Sequence, residues 1–266
     1  GPFLMLCPNS VNICSLASGS KGNSLLVEGP EGALLVDAGL SARELMRRVC
    51  LVGMDPARIR GILVTHEHED HIRGVRVLSR RLDLPVFTTS GTCAAAGLSR
   101  ECPVNAVTPG VDFHLAGFSI SPFSIPHDAA DPVGFVLSMG SRKIGIATDL
   151  GYATSLVRKR LEGCDFLLIE SNHDEKMLLE GPYPWFLKQR IRSRTGHLSN
   201  GASSGLLETL SHPGLRWVVL GHLSETNNTP DLALGTALGV LGGEGRGAKV
   251  HVAGMPLPTP VFRLDI

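Results

Sequence analysis

The chain has 266 residues, 43% hydrophobic and 19% charged, enough for a single α/β domain over 1–266 with a sizeable core. Lys+Arg and Asp+Glu number 25 each, which excludes attraction of a nucleic acid by bulk charge and leaves that task to a local basic surface. No apolar run approaches the roughly 18 residues of a membrane span and no signal peptide stands out, so the expectation is a cytoplasmic protein without a membrane partner.

Six cysteines (7, 14, 50, 93, 102 and 164) show no CxxC spacing and lie in apolar contexts; they read as reduced core residues. In chain order, Val11–Ala17, Leu25–Glu28 and Ala33–Asp37 read as strands, and Ala42–Gly53 as an amphipathic helix. The strand Ile59–Thr65 follows, then a helix at Ile72–Leu82 that puts Val75, Leu78 and Leu82 on one face and most of Arg73, Arg76, Arg80 and Arg81 opposite. After Pro85–Thr88 the pattern turns largely β, with Phe118–Ile125, Val133–Ser138 and Lys143–Thr148 as strands. The second half alternates again: helix Thr154–Leu161, strand Phe166–Glu170, helices Pro184–Ser193 and Ser199–Leu210, strand Trp217–Gly221 and helix Leu232–Val240. Two β-rich sheets with helices outside them imply a four-layer α/β/β/α sandwich. No repeat or linker divides the chain.

The richest stretch is His66-Glu67-His68-Glu69-Asp70-His71, directly after the apolar run Gly61–Thr65. Neutral imidazole and carboxylate are the ligands that borderline divalent ions prefer. Positions 66, 68 and 70 alternate, and His71 breaks the alternation. A turn or helix start there lets 66 and 68 serve one ion while 70 and 71 serve a neighbour. Two such ions roughly 3.5–4 Å apart are the usual arrangement for hydrolysing phosphate esters and some amides. One segment cannot fill two coordination shells. His127, Asp149 and His222, each near the end of a predicted strand, supply one further His per ion and a carboxylate able to bridge.

His66-x-His68-x-Asp70-His71, with a later His, Asp and His, resembles the metallo-β-lactamase fold. That resemblance implies His66, His68 and His127 on one ion, Asp70, His71 and His222 on the other, and Asp149 between them. It also makes Asp37 in Leu34-Leu35-Val36-Asp37-Ala38-Gly39 a supporting residue that does not ligate. Ser15–Ser24, Ala147–Tyr152, Glu170–Asp174, Gly196–Asn200 and His222-Leu223-Ser224-x-x-Asn227-Asn228 look like the YycJ (WalJ) proteins, bacterial nucleases of this fold related to ribonuclease Z. The similarity spans roughly residues 12–230 and implies a 5′-to-3′ exonuclease acting on DNA. The chain has no insertion large enough for the extra nuclease domain of the ribonuclease J branch, nor the long Gly/Pro-rich arm of ribonuclease Z.

The expected chemistry uses two divalent ions, Mn²⁺ or Zn²⁺, to bring a bridging water toward a neutral pKa, so that hydroxide attacks phosphorus in line. Asp70 would also orient that hydroxide. His197 lies outside the seven-ligand set, and resemblance to ribonuclease Z implies that it contacts the scissile phosphate and protonates the leaving oxygen; the alternative is an incidental His in a helix-capping loop. Lys188, Arg190, Arg192 and Arg194 alternate just before it and read either as a solvated helix face or as contacts to the phosphate backbone. The loop Ser18–Ser24 reads as a plain hairpin turn or as an anion nest, with Ser18, Ser20, Lys21 and Asn23 as donors. Ser199, Asn200 and Asn228 are further candidates for a terminal phosphate. Glu170 and His173 are open: Glu170 orients His197, or the segment caps a helix. Competing readings are a small-molecule hydrolase of the same fold (cyclic phosphodiester, thioester or lactone), an RNA-processing nuclease, and a non-catalytic binding protein. The sequence carries no signal of oligomeric state.

Overall fold

The computed structural model describes residues 9–242 and 247–266; Cys7 lies outside them. Two seven-stranded mixed sheets face each other. The first is built from β1 (Ser10–Ala17), β2 (Ser24–Gly29), β3 (Gly32–Val36), β4 (Ile59–Leu63), β5 (Val86–Thr89) and β6 (Val104–Val107). The second contains β7 (Phe113–Leu115), β8 (Phe118–Ser124), β9 (Val133–Met139), β10 (Arg142–Ala147), β11 (Phe166–Glu170), β12 (Trp217–Gly221) and β13 (Lys249–Val252). The last strand, β14 (Phe262–Asp265), returns to pair antiparallel with β1 and completes the first sheet.

Three apolar cores show why the strands read as continuous hydrophobic runs: both faces of each sheet are covered. Between the sheets lie Ile13, Leu34, Val36, Leu63, Phe118, Phe135, Ile144, Phe166 and Val219. The alternate residues, such as Cys14, Leu35, Ile62 and Val64, pack outward on the helices Ala42–Leu51 and Val75–Leu82 through Leu45, Val49, Val75 and Leu78. On the other side, Leu167, Ile169, Val218 and Leu220 pack on the helices Ser155–Leu161, Asn200–Leu210 and Pro230–Leu241. The four-layer sandwich is therefore as expected.

The differences are local. The helix expected over Ile72–Leu82 is two helices, Glu69–Ile72 and Val75–Leu82. They part at Gly74, whose N–H donates to the Ala38 carbonyl at 2.7 Å and where a Cβ would overlap the Leu40 carbonyl. Strands β6, β7, β13 and β14 carried no clear period; they are short, lie at or next to sheet edges and are partly exposed. Helices Ser90–Ala96 and Glu175–Glu180 are equally short. Among the described cysteines all are free; Cys14, Cys102 and Cys164 are core residues, but Cys50 is exposed and Cys93 half-buried. Cys50 ends its helix facing away from the sheet, which its apolar neighbours in sequence do not reveal.

Parallel pairing of β3 with β4 and of β10 with β11 and β12 sends the C-terminal ends of these strands to one edge of the sandwich. Asp37 and His222 directly follow such strands, Asp149 follows β10 after Thr148, Glu170 ends β11, and His66 lies just beyond β4.

Candidate metal centre

The metal motif turns where its spacing required. His68 is the extended residue that precedes the helix Glu69–Ile72, so His66 and His68 stay on one side while Asp70 and His71 begin the next turn. His66 Nε2 lies 3.1 Å from His68 Nδ1, and His127 Nε2 lies 3.3 Å from the same atom. Asp70 Oδ2 is 3.5 Å from both His71 Nε2 and His222 Nε2. Asp149 stands between the two groups, with Oδ2 3.1 Å from His71 Nε2 and Oδ1 3.7 Å from His127 Nε2. The geometry thus gathers His66, His68 and His127 in one set, and Asp70, His71 and His222 in another, each with ligand atoms within 4.8 Å of one another.

Four of these rings, all but His68, are aimed by a bond at the other nitrogen. His71 Nδ1–H donates to Asp37 Oδ2 at 2.7 Å, His222 Nδ1–H to Glu170 Oε1 at 2.8 Å, and His127 Nδ1–H to the Gly196 carbonyl at 3.3 Å. Thr65 Oγ1 donates to Asp37 Oδ2 and accepts from His66 Nδ1–H. Such bonds select the tautomer that leaves the other nitrogen as a lone pair for a metal. His222 Nε2 and Asp149 Oδ2 are buried with no hydrogen-bond partner, a cost a folded protein accepts where an ion is the partner. The residues therefore fit a divalent metal.

The backbone supports the same reading. Asp37, Asp149 and His222 have positive φ values of 61°, 55° and 56°, unusual for residues with a Cβ and characteristic of functional sites. Electrostatics follow from the crowding. Burial pushes His66 well below its ordinary value. Burial also disfavours charge on His222, but the carboxylates of Asp149, Asp70 and Glu170 outweigh it and push His222 up to about 10. In the same way the imidazoles overcome the burial of Asp149 and hold its carboxyl well below the usual range.

Glu170 is wholly buried. Its Oε1 accepts from both His222 Nδ1–H and His197 Nδ1–H, at 2.8 and 2.7 Å, while Oε2 accepts the backbone N–H groups of Leu150 and Leu198. Burial penalises this carboxylate, yet the two imidazoles beside it bring its pKa down to about 2. His197 is thereby held beside the metal cluster with Nε2 left for a ligand. It lines a groove of about 280 Å³ together with His68, Asp70, His127, Asp149 and His222.

Residues 33–223 match the Beta-lactamase superfamily domain. Exodeoxyribonuclease YycJ of Bacillus anthracis is 35% identical, over 92% of this chain and 96% of its own. Exodeoxyribonuclease WalJ of Streptococcus pneumoniae is 34% identical, over 94% and 96%. The chain belongs to the YycJ/WalJ family. The crystal structure of the metallo-β-lactamase fold protein YhfI from Bacillus subtilis superposes with a TM-score of 0.73 at 16% identity, covering 94% of this chain and 99% of that one, which bears on fold alone.

Within this YycJ/WalJ-family chain, few of the expected phosphate contacts reach the groove. Arg190 does, and its guanidinium is paired with Asp128 Oδ2 at 2.9–3.0 Å. Lys188 does not: it is buried and its Nζ donates to the carbonyls of Leu179 and Gly181. Arg194 stacks over Tyr152 at 4.2 Å, and Arg192 is exposed outside the groove. Helix Trp185–Ile191 turns Lys188 and Arg190 to different sides, and Arg192 and Arg194 follow its end.

In the Ser18–Ser24 loop only Ser20 lines the groove. Ser18 Oγ accepts the His222 N–H. The Asn23 amide donates to Gly19 O and Asp70 Oδ2, so both brace the ligands. Lys21 pairs with Glu225 at 2.6 Å. Ser199 caps its helix and donates to Glu175, while Asn200 and Asn228 bond to each other and to Ser171; these three build the scaffold. His173, brought down to about 4 by burial, lies under Asn172 and is not part of the groove lining. Tyr183, Leu187, Asn172 and Ser224 do line the groove, and no local spacing signals them.

Proposed function

We propose that the chain is a cytoplasmic, two-metal phosphodiesterase that removes nucleotides from the 5′ end of DNA. The observation that carries this is one groove where two ligand sets converge and, beside them, His197 held through Nδ1 by Glu170 outside both sets. His66, His68 and His127 would hold one ion and Asp70, His71 and His222 the other, with Asp149 shared. When bound, such ions, Mn²⁺ or Zn²⁺ by the nature of the ligands, supply Lewis acidity and an activated water nucleophile. Asp70 accepts a hydrogen bond from the attacking water and orients it. As the bond from phosphorus to the leaving 3′ oxygen breaks, His197 Nε2–H gives that oxygen its proton, and Glu170, bonded at Nδ1, orients the ring. The exodeoxyribonuclease names of the relatives support DNA over small molecules. The test is incubation of chelated protein, resupplied with Mn²⁺, Zn²⁺ or Mg²⁺, with 5′- and 3′-labelled DNA and RNA duplexes. Mononucleotides released from the 5′-phosphorylated DNA end, only with metal, are expected. Release from the 3′ end, or from RNA alone, overturns the proposal.

A further inference from the structure

Phe186 is 71% exposed, more than any other large hydrophobic side chain among the described residues, and its neighbour Trp185 is 59% exposed. Folding gives no reason for them: helix Trp185–Ile191 buries Lys188 alone. The same helix lines the groove with Leu187, Arg190 and Ile191. Phe186 precedes Arg190 by four residues and so lies along the same side of the helix. Tyr183, half-buried, lines the groove from the segment that leads in.

That segment is held stiffly. Lys188 Nζ clamps the carbonyls of Leu179 and Gly181 at 2.7 Å each, Pro182 and Pro184 flank Tyr183, and Gly181 is packed too closely against Met177 and Asn227 for any Cβ. Tyr183 thus lines the groove from a braced backbone, and Phe186 is exposed on the same helix as the groove-lining Leu187 and Arg190. An aromatic face beside a cation suits a nucleobase and its phosphate.

We infer that Tyr183 and Phe186 form a stacking platform for an unpaired nucleobase. The occupant is the nucleotide immediately 3′ of the scissile phosphate, because Tyr183 lines the groove by which the strand leaves the ligand cluster, and Arg190 lines it too for the adjoining phosphate. This rests on the nuclease reading above. It makes the enzyme one that takes single-stranded or frayed ends, since a base within a duplex has no free face to offer.

The test compares two 5′-phosphorylated single-stranded DNA oligonucleotides, identical except that one is abasic at the second nucleotide. They are cut by the metal-loaded wild type, F186A, Y183A and F186W. The wild type is expected to lose about 5- to 150-fold in kcat/KM on the abasic strand, the range of one base–aromatic stack. F186A and Y183A should each lose much of that discrimination, and F186W should restore it. A wild type that cuts both strands equally overturns the platform alone, as does F186A with undiminished discrimination. A wild type that cuts neither single strand yet degrades the 5′-phosphorylated duplex overturns the platform alone, and one that cuts neither strand nor the duplex overturns the nuclease reading and the platform with it.

Discussion

At the scale of single residues, one oxygen of Glu170 joins the two functions of the centre. Oε1 receives His222, a proposed metal ligand, and His197, a proposed proton donor. Removing the carboxylate therefore loosens both, whereas removing His197 leaves the ligands aimed. E170Q should lower divalent-metal affinity by about 10- to 100-fold, read by competition with a chromophoric chelator. H197A should leave that affinity near wild type and lower kcat on DNA by about 10²- to 10⁴-fold. Equal effects of both variants on metal affinity would show that Glu170 does not support the ligand set through His222. Sequence exposed Glu170 as a polar residue ending an apolar strand, but its partners lie 27 and 52 residues away. No local spacing carries such a pairing.

Among the elements, the short connections do most to build the site. The segment after β3 runs against the metal motif: Ala38 N–H donates to the His71 carbonyl, Asn23 N–H to the Asp70 carbonyl, and Gly39 N–H to Asn23 O, all at 2.8–2.9 Å. A Cβ on Gly39 would overlap the Asp70 carbonyl oxygen. G39A is expected to destabilise the fold by about 2 kcal/mol, within the range for overpacking, and to lower metal content. Chemical denaturation with metal analysis of the folded fraction checks it, and a wild-type midpoint would contradict it. Element-level reading served best where a segment was long or an apolar run unbroken, as in Asn200–Leu210 and β11. At Lys188–Arg194 spacing left a helix face and phosphate contact both open, and the fold brings only Arg190 to the groove. Lys188, placed inside by that geometry, became an anchor for the Tyr183 segment.

For the whole molecule, zero formal net charge combines with a groove lined by one arginine and no lysine among the described residues. Nucleic-acid affinity should therefore depend weakly on salt, with log K falling against log[salt] by a slope between about −1 and −3, at roughly 0.9 per neutralised phosphate. R190A should flatten the slope by about 1. Fluorescence anisotropy of a labelled 5′-phosphorylated oligonucleotide across a salt series measures both, and a slope near −6 would reveal a basic surface elsewhere. The sequence by itself determined the layered α/β architecture and the residues able to ligate metal. Those depend on period and side-chain type, which a chain carries locally. Only the tertiary structure decided which histidines Asp37 and Glu170 aim, which cations meet the groove, and that Tyr183 lines it. Those are relations between strand ends, loops and a helix far apart in the chain, which sheet packing brings to one edge.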